Sequence, residues 1–154
     1  DRSPSRGLGD VYKRQMLNTP YRDTWFMPAR NSYMVRLLED AGARYVFEEN
    51  TATQTLPIDI EQAYYLTSKS DFWLNVSGCN TLDEVRRQNP RLADTPPVRE
   101  GRVYDNNRRR NAAGGSDFWE SGVLRPDRVL ADLVHIFHPE LSETDELYYY
   151  RQLE

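Results

Sequence analysis

Residues 59–78 read Asp-Ile-Glu-Gln-Ala-Tyr-Tyr-Leu-Thr-Ser-Lys-Ser-Asp-Phe-Trp-Leu-Asn-Val-Ser-Gly, and a change of period inside them decides the fold class. Over 59–67 the apolar residues Ile60, Ala63, Tyr64 and Leu66 keep a helical spacing. Phe72-Trp73-Leu74-Asn75-Val76 is the clearest strand of the chain, and Ser77-Gly78 ends it. Upstream, Arg44 to Phe47 predicts a short strand, followed by a polar loop over 48–55. Before it, Ser32 has the character of an N-cap, and a helix through Tyr33, Leu37 and Leu38 stops at Gly42. Residues 21–28 form an aromatic loop with Trp25-Phe26-Met27 extended, and Met16-Leu17-Asn18 reads as the end of a further strand. Downstream, Thr81-Leu82-Asp83-Glu84 is a capping box, and Arg102-Val103-Tyr104 a third strand entering a polar loop over 106–116. Pro126 opens a helix carrying Val129, Leu130, Leu133, Val134, Ile136 and Phe137, and a last helix is expected from about Thr144 to the terminus. Strands alternating with helices, with no internal repeat or long linker, predict one α/β lobe: three layers, with a mainly parallel sheet between helices.

One stretch does not belong to this pattern. Residues 5–15, Ser-Arg-Gly-Leu-Gly-Asp-Val-Tyr-Lys-Arg-Gln, resemble one reading frame of a transposon-end sequencing adapter. Residues 1–15 are therefore expected to be adapter-derived and without fixed structure, and 16–154 to be a lobe cut near its first strand. Arg2, Arg6, Lys13 and Arg14 against Asp1 and Asp10 give the run a net +2, so the −4 of the whole chain becomes −6 over 16–154. An acidic domain of this kind argues against a general phosphate-backbone binder and hence against nucleic acid. The remaining 139 residues suffice for one domain with a core. No run approaches the roughly 20 apolar residues of a membrane span. The single Cys79 excludes an internal disulfide and a multi-cysteine metal site.

Signals for catalysis are weak. There is no phosphate-binding or dinucleotide glycine loop and no nucleophile elbow, and Gly7 and Gly9 lie in the adapter-like run. His135 and His138 have a spacing that can hold a metal, but with no third ligand nearby they read as helix-end residues, and Cys79 as a loop residue. No cofactor and no metal ligand are expected. The aromatic and basic residues are more informative. Ligands gather outside the carboxyl ends of strands in open α/β sheets. Those ends carry Trp25-Phe26, Asn75 to Ser77, and the Asn106-Asn107-Arg108-Arg109-Arg110 loop leading to Phe118-Trp119. Aromatic faces and arginine forks suit a bulky, flat or anionic ligand. The plainer reading puts Trp25 and Trp119 partly in the core and the arginines in a solvated loop.

The order of these pieces resembles the C-terminal lobe of ABC-transporter solute-binding proteins for iron–siderophore, haem and cobalamin. Residues 21–33 with Glu39 to Gly42 resemble its start; Ile60-Glu61-Gln62 and Ser70 to Asn75 its helix–strand unit. Gly101 to Tyr104, Ser116 to Glu120, Arg125 to Leu133 and Ile136 to Glu140 continue the likeness. The resemblance implies a two-lobed protein with a helical bridge, its first lobe and export signal absent from this chain. It implies periplasmic location, often with a lipid anchor, and delivery of an iron chelate to an inner-membrane permease, without enzymatic activity. Trp25, Phe26, Phe118 and Trp119 fall at cleft-lining positions of the family, and Arg108, Arg109 and Arg110 in a cleft-side loop where a siderophore carboxylate is met. Glu61 falls where family members present an acidic residue to the permease. The alternative is an α/β enzyme domain using the arginine loop to hold an anionic metabolite; a sensor that binds without delivering is a third.

Overall fold

The computed structural model describes residues 13–154 apart from Asp23, Glu49 and Ala52. Residues 1–12, most of the adapter-like run, lie outside the described residues. The first half of the chain holds β1 (Lys13–Leu17), β2 (Pro20–Tyr21), β3 (Thr24–Met27), α1 (Tyr33–Asp40), β4 (Ala43–Tyr45), β5 (Leu56–Ile58), α2 (Ile60–Ser68) and β6 (Phe72–Leu74). The second holds α3 (Leu82–Gln88), α4 (Pro96–Arg99), β7 (Val103–Asp105), α5 (Ser121–Leu124), α6 (Pro126–Phe137) and β8 (Arg151–Gln152). Single 3-10 turns occupy Pro90–Leu92, Asp117–Trp119 and Pro139–Leu141.

The main sheet has the order β4-β1-β6-β7-β8. Its first four strands are parallel and β8 runs antiparallel to β7. Met16 stands opposite Trp73, and Trp73 opposite Val103, all three buried. Phe72, Trp73 and Leu74 are all buried, so β6 is covered on both faces, which is why it reads as an unbroken apolar run rather than an alternating one. The expected α/β class with a mainly parallel sheet is what the chain adopts. A second, antiparallel sheet, β2-β3-β5, was not foreseen. It forms because Trp25 and Met27 alternate with the exposed Phe26 on β3 and turn inward opposite Ile58 and Leu56.

The helix ends follow the local chemistry of the sequence. Ser32, Asp59 and Thr81 each accept a backbone N–H three residues on, and Glu84 lies 3.4 Å from the Thr81 hydroxyl. Gly42 has a φ of +85°, and a Cβ there would come within 2.8 Å of His138 Nε2. Both the conformation and the space demand glycine.

The chain departs from its sequence pattern at both ends. β1 begins three residues upstream of Met16, so Lys13, Arg14 and Gln15 lie in an interior strand of the main sheet. Gln15 is wholly buried there; its Nε2 donates to Lys13 O, while its Oε1 has no partner among the described residues. At the other end, the helix expected from Thr144 does not form. The carboxylate of Asp132 on α6 accepts the backbone N–H groups of Tyr148, Tyr149 and Tyr150 at 2.8, 2.6 and 2.9 Å. Three successive amides that converge on one anion cannot also point along a helix axis to carbonyls four residues back. The segment is extended instead, and it buries Tyr149, Tyr150 and Leu153.

Two substitutions test these constraints by urea denaturation. Asp132→Ala leaves three amides without their acceptor and is expected to destabilise the chain by about 3–5 kcal/mol. Gln15→Met removes an unsatisfied buried oxygen at nearly constant volume and is expected to stabilise it by about 1 kcal/mol.

Candidate ligand-binding site

A crevice opens in a parallel sheet where neighbouring strands send their connections to opposite flanks. β1 leads towards β4 on one side, and β6 leads towards β7 on the other, so this reversal falls between β1 and β6. The residues just beyond these two strands are Asn18 and Asn75, and Asn106 follows β7. Asn18 and Asn75 both have positive φ, 71° and 63°. Asparagine is among the few side-chain-bearing residues that adopt this left-handed conformation readily.

Each of the two is fixed by several bonds. Asn18 donates its N–H to Leu74 O and its Nδ2 to Phe26 O, and its carbonyl accepts the Trp73 indole N–H at 2.7 Å. Asn75 donates its N–H to Tyr104 O. Its Oδ1 accepts from the Tyr150 hydroxyl at 2.9 Å and from Asn106 Nδ2 at 3.3 Å. With its acceptor occupied, Asn75 keeps its amide donors, which have no partner among the described residues.

Two concavities meet at these strand ends. One, of about 230 Å³, is apolar and lies among Pro28, Tyr33, Met34, Phe118, Val123 and Val129. The other, of about 250 Å³, is polar and lies among Thr19, Phe26, Ser77, Asp105 and Asn106. Asn18, Asn75 and Trp119 border both. The concavities are therefore two halves of one mouth with Trp119 between them. Trp119 is 64% exposed. Its ring stands edge-on to Phe118 at 4.8 Å, and Phe118 in turn packs against Tyr149 and Tyr150. An exposed indole on a buried aromatic pillar is a rigid apolar platform. Asp105, buried at the floor of the polar half, has its carboxyl pushed above the usual range by burial; the Asn106 backbone N–H and the Arg151 charge pull partly the other way.

Of the residues singled out in the sequence, Phe26, Phe118 and Trp119 come together here. Trp25 does not. It is 1% exposed, tilted against Trp73 at 5.7 Å, and its indole N–H donates to Leu17 O. Its place is the core, because the β3 pleat turns it inward. Arg108, Arg109 and Arg110 are exposed and line neither concavity. Arg109 lies 3.7 Å over the Tyr148 ring, and Arg110 donates to Gly114 O within its own loop. Glu61, in the first turn of α2, lines neither concavity and pairs with Arg91 at 2.6 Å, both side chains exposed. His138 bonds Gly42 O, and the nearby Phe137 O accepts from Lys13 at the start of β1. His138 thus stands at the opposite end of the sheet, while His135 bonds Ser142 and Thr144. Burial pushes the Cys79 thiol up, which suppresses the reactive thiolate. Tyr33, Met34, Val123 and the pairing role of Asn18 were missed by sequence reasoning. An asparagine directly after β1, β6 and β7 was the available signal.

No family model matches the chain. It is 27% identical over 123 residues to an uncharacterized lipoprotein of Methanocaldococcus jannaschii, an alignment covering 78% of this chain and 28% of that protein. Among solved structures it is similar to a periplasmic haem-binding protein from Pseudomonas aeruginosa, with a TM-score of 0.64 and 19% identity. It is also similar to the TroA-like periplasmic binding protein FepB from Veillonella parvula, with a TM-score of 0.62 and 12% identity. Each match covers 97% of this chain and 51% of the other. The chain has the α/β fold of these periplasmic binding proteins and spans about half the length of each.

The raised Asp105 carboxyl gives a pH test. A group whose proton is held more tightly in the folded than in the unfolded chain costs stability as the pH rises through its folded value. Asp105→Asn is therefore expected to gain stability relative to the parent on going from about pH 3 to about pH 7. Urea midpoints at both pH values give the measurement, and a gap that does not widen refutes it.

Proposed function

We propose that this chain is one lobe of a solute-binding protein that holds a metal chelate (iron–siderophore, haem or cobalamin) and hands it to an ABC permease. The observation that carries the reading is the mouth at the β1–β6 reversal. An exposed aromatic platform, a buried amide pair and an apolar floor stand where open α/β sheets bind their ligands. Each half of the mouth is smaller than the roughly 300 Å³ at which a drug-sized molecule is enclosed. A second surface closing over Trp119 would complete it, and the half-length match to the two binding proteins supports that second surface being another lobe of the full protein. On this reading the residues before 13 contribute nothing to binding, and the whole protein works in the periplasm, carried there with a lipid anchor as the archaeal lipoprotein's description suggests. Binding, not bond chemistry, is the activity, and the chelate brings its metal already coordinated, so no protein metal ligand is required. Phe26, Phe118 and Trp119 make the ligand contacts; the loop of Arg108, Arg109 and Arg110 stands outside the two concavities.

Fluorescence titration of this chain with ferric siderophores, haemin and cyanocobalamin tests the reading. Trp119 is the exposed reporter, while Trp25 and Trp73 give a buried background. Quenching with a Kd weaker than about 1 µM is expected, because one lobe supplies half the contacts, and Trp119→Ala is expected to weaken it further. Submicromolar binding by this chain alone would sink the two-lobe reading.

Delivery is tested through Glu61 in the full-length protein. Glu61→Arg is expected to abolish uptake while leaving chelate binding unchanged, because Glu61 lines neither concavity. Since the same change also breaks the ion pair with Arg91, Arg91→Ala serves as control and should retain uptake. Uptake that survives Glu61→Arg would separate this residue from permease docking.

A further inference from the structure

The charge of the mouth narrows the class of chelate. Resting on the binding reading above, we infer that this lobe's side of the mouth selects chelates without net negative charge, presenting hydrogen-bond acceptors and apolar edges. Among the described residues that line the two concavities there is no arginine, lysine or histidine. The one charged side chain is Asp105, at the floor of the polar half. Of the neighbouring arginine loop, Arg109 is held over the Tyr148 ring and Arg110 bonds its own loop, while Arg108 is exposed and lines neither concavity. Arg151, which faces Asp105 electrostatically, spends its guanidinium on Asn80 and Asn107.

What the mouth does offer is neutral and directional. Asn75 holds amide donors free because its Oδ1 is taken by Tyr150 and Asn106. These donors suit carbonyl-type acceptors such as amide or hydroxamate oxygens. Asp105 is an acceptor for an N–H or O–H on the ligand, and a repulsive charge to a carboxylate or catecholate placed on it. Trp119 and Phe26, exposed on either side, supply apolar contact area. A tris-catecholate or a citrate complex, each carrying several negative charges, would enter concavities lined by no cation and by one carboxyl that opposes them. A neutral, amide-rich corrinoid or a trihydroxamate would meet donors, an acceptor and apolar edges in the same space.

The experiment uses the chain labelled with nitrogen-15 and gallium(III) in place of iron, so that spectra stay sharp. Cyanocobalamin and gallium desferrioxamine B, neither with net negative charge, are titrated beside gallium tris-catecholate and gallium citrate. The readouts are the side-chain amides of Asn18, Asn75 and Asn106 and the indole of Trp119. At least one uncharged or cationic probe is expected to bind about tenfold more tightly than either anionic one, with shifts at Asn75 and Trp119. Asp105→Asn is expected to narrow that gap by strengthening the anionic probes. Equal or tighter binding of the anionic probes overturns the inference while leaving the binding reading intact. A gap that Asp105→Asn leaves unchanged also overturns it. Absence of binding by all four probes overturns the reading and the inference with it.

Discussion

The carboxylate of Asp132 holds together the half of the molecule on which the mouth depends. It is buried, and three consecutive amides of the Tyr148–Tyr149–Tyr150 stretch close on it. That convergence places Tyr149 and Tyr150 in the core as the chain returns to add β8 beside β7. From there two contacts reach the site. The Tyr150 hydroxyl donates to Asn75 Oδ1, which sets the direction of that amide. The two tyrosine rings carry Phe118, and Phe118 carries Trp119. The Tyr150 hydroxyl is kept protonated far above neutrality, first by burial and then by the nearby acidic groups, so it remains a donor. A carboxylate on α6 therefore fixes the geometry of the aromatic platform at the mouth.

A second constraint acts on the other side of the mouth. Two indole N–H groups, from Trp25 and Trp73, donate to the consecutive carbonyls of Leu17 and Asn18 where β1 ends. These bonds satisfy carbonyls that the sheet no longer pairs and hold the backbone as it turns into the left-handed region at Asn18. Trp25, expected at a ligand, instead builds the rim on which the ligand is proposed to rest. Its apolar body lies in the core and its one donor reaches the strand end, a use well suited to tryptophan.

The mouth has two chemically distinct halves, and the division has a physical origin. The apolar half is lined by α6 through Val129 and by α1 and α5 through Met34 and Val123. The polar half lies over the open ends of β6 and β7, where Asp105 and Asn106 leave the sheet. Helices bring apolar stripes to the sheet, whereas strand ends bring unpaired backbone and the polar residues that accompany it. A ligand spanning both halves, as proposed, would be read by shape on one side and by hydrogen bonds on the other.

Local chemistry determined much of this by itself. The α/β class followed from the change of period across 59–78, the helix starts from Ser32, Asp59 and Thr81, and the stop at Gly42 from its left-handed backbone. These are short-range matters, settled by side chains bonding to amides two or three residues away. The strand ends that form the mouth were also legible, through Asn75, Asn106, Phe118 and Trp119. Three features were decided only in tertiary structure. The fate of residues 144–154 depended on Asp132, at least a dozen residues distant, whose charge outweighs the weak helical pattern of Leu147, Tyr148 and Leu153. Trp25 turned inward because β3 pairs with β5, a contact made across the intervening helix α1 and strand β4. The arginine loop turned away because Tyr148, placed by that same carboxylate, captures Arg109. Periodicity reports which residues are apolar; which buried charge or ring they meet is set by the folded chain.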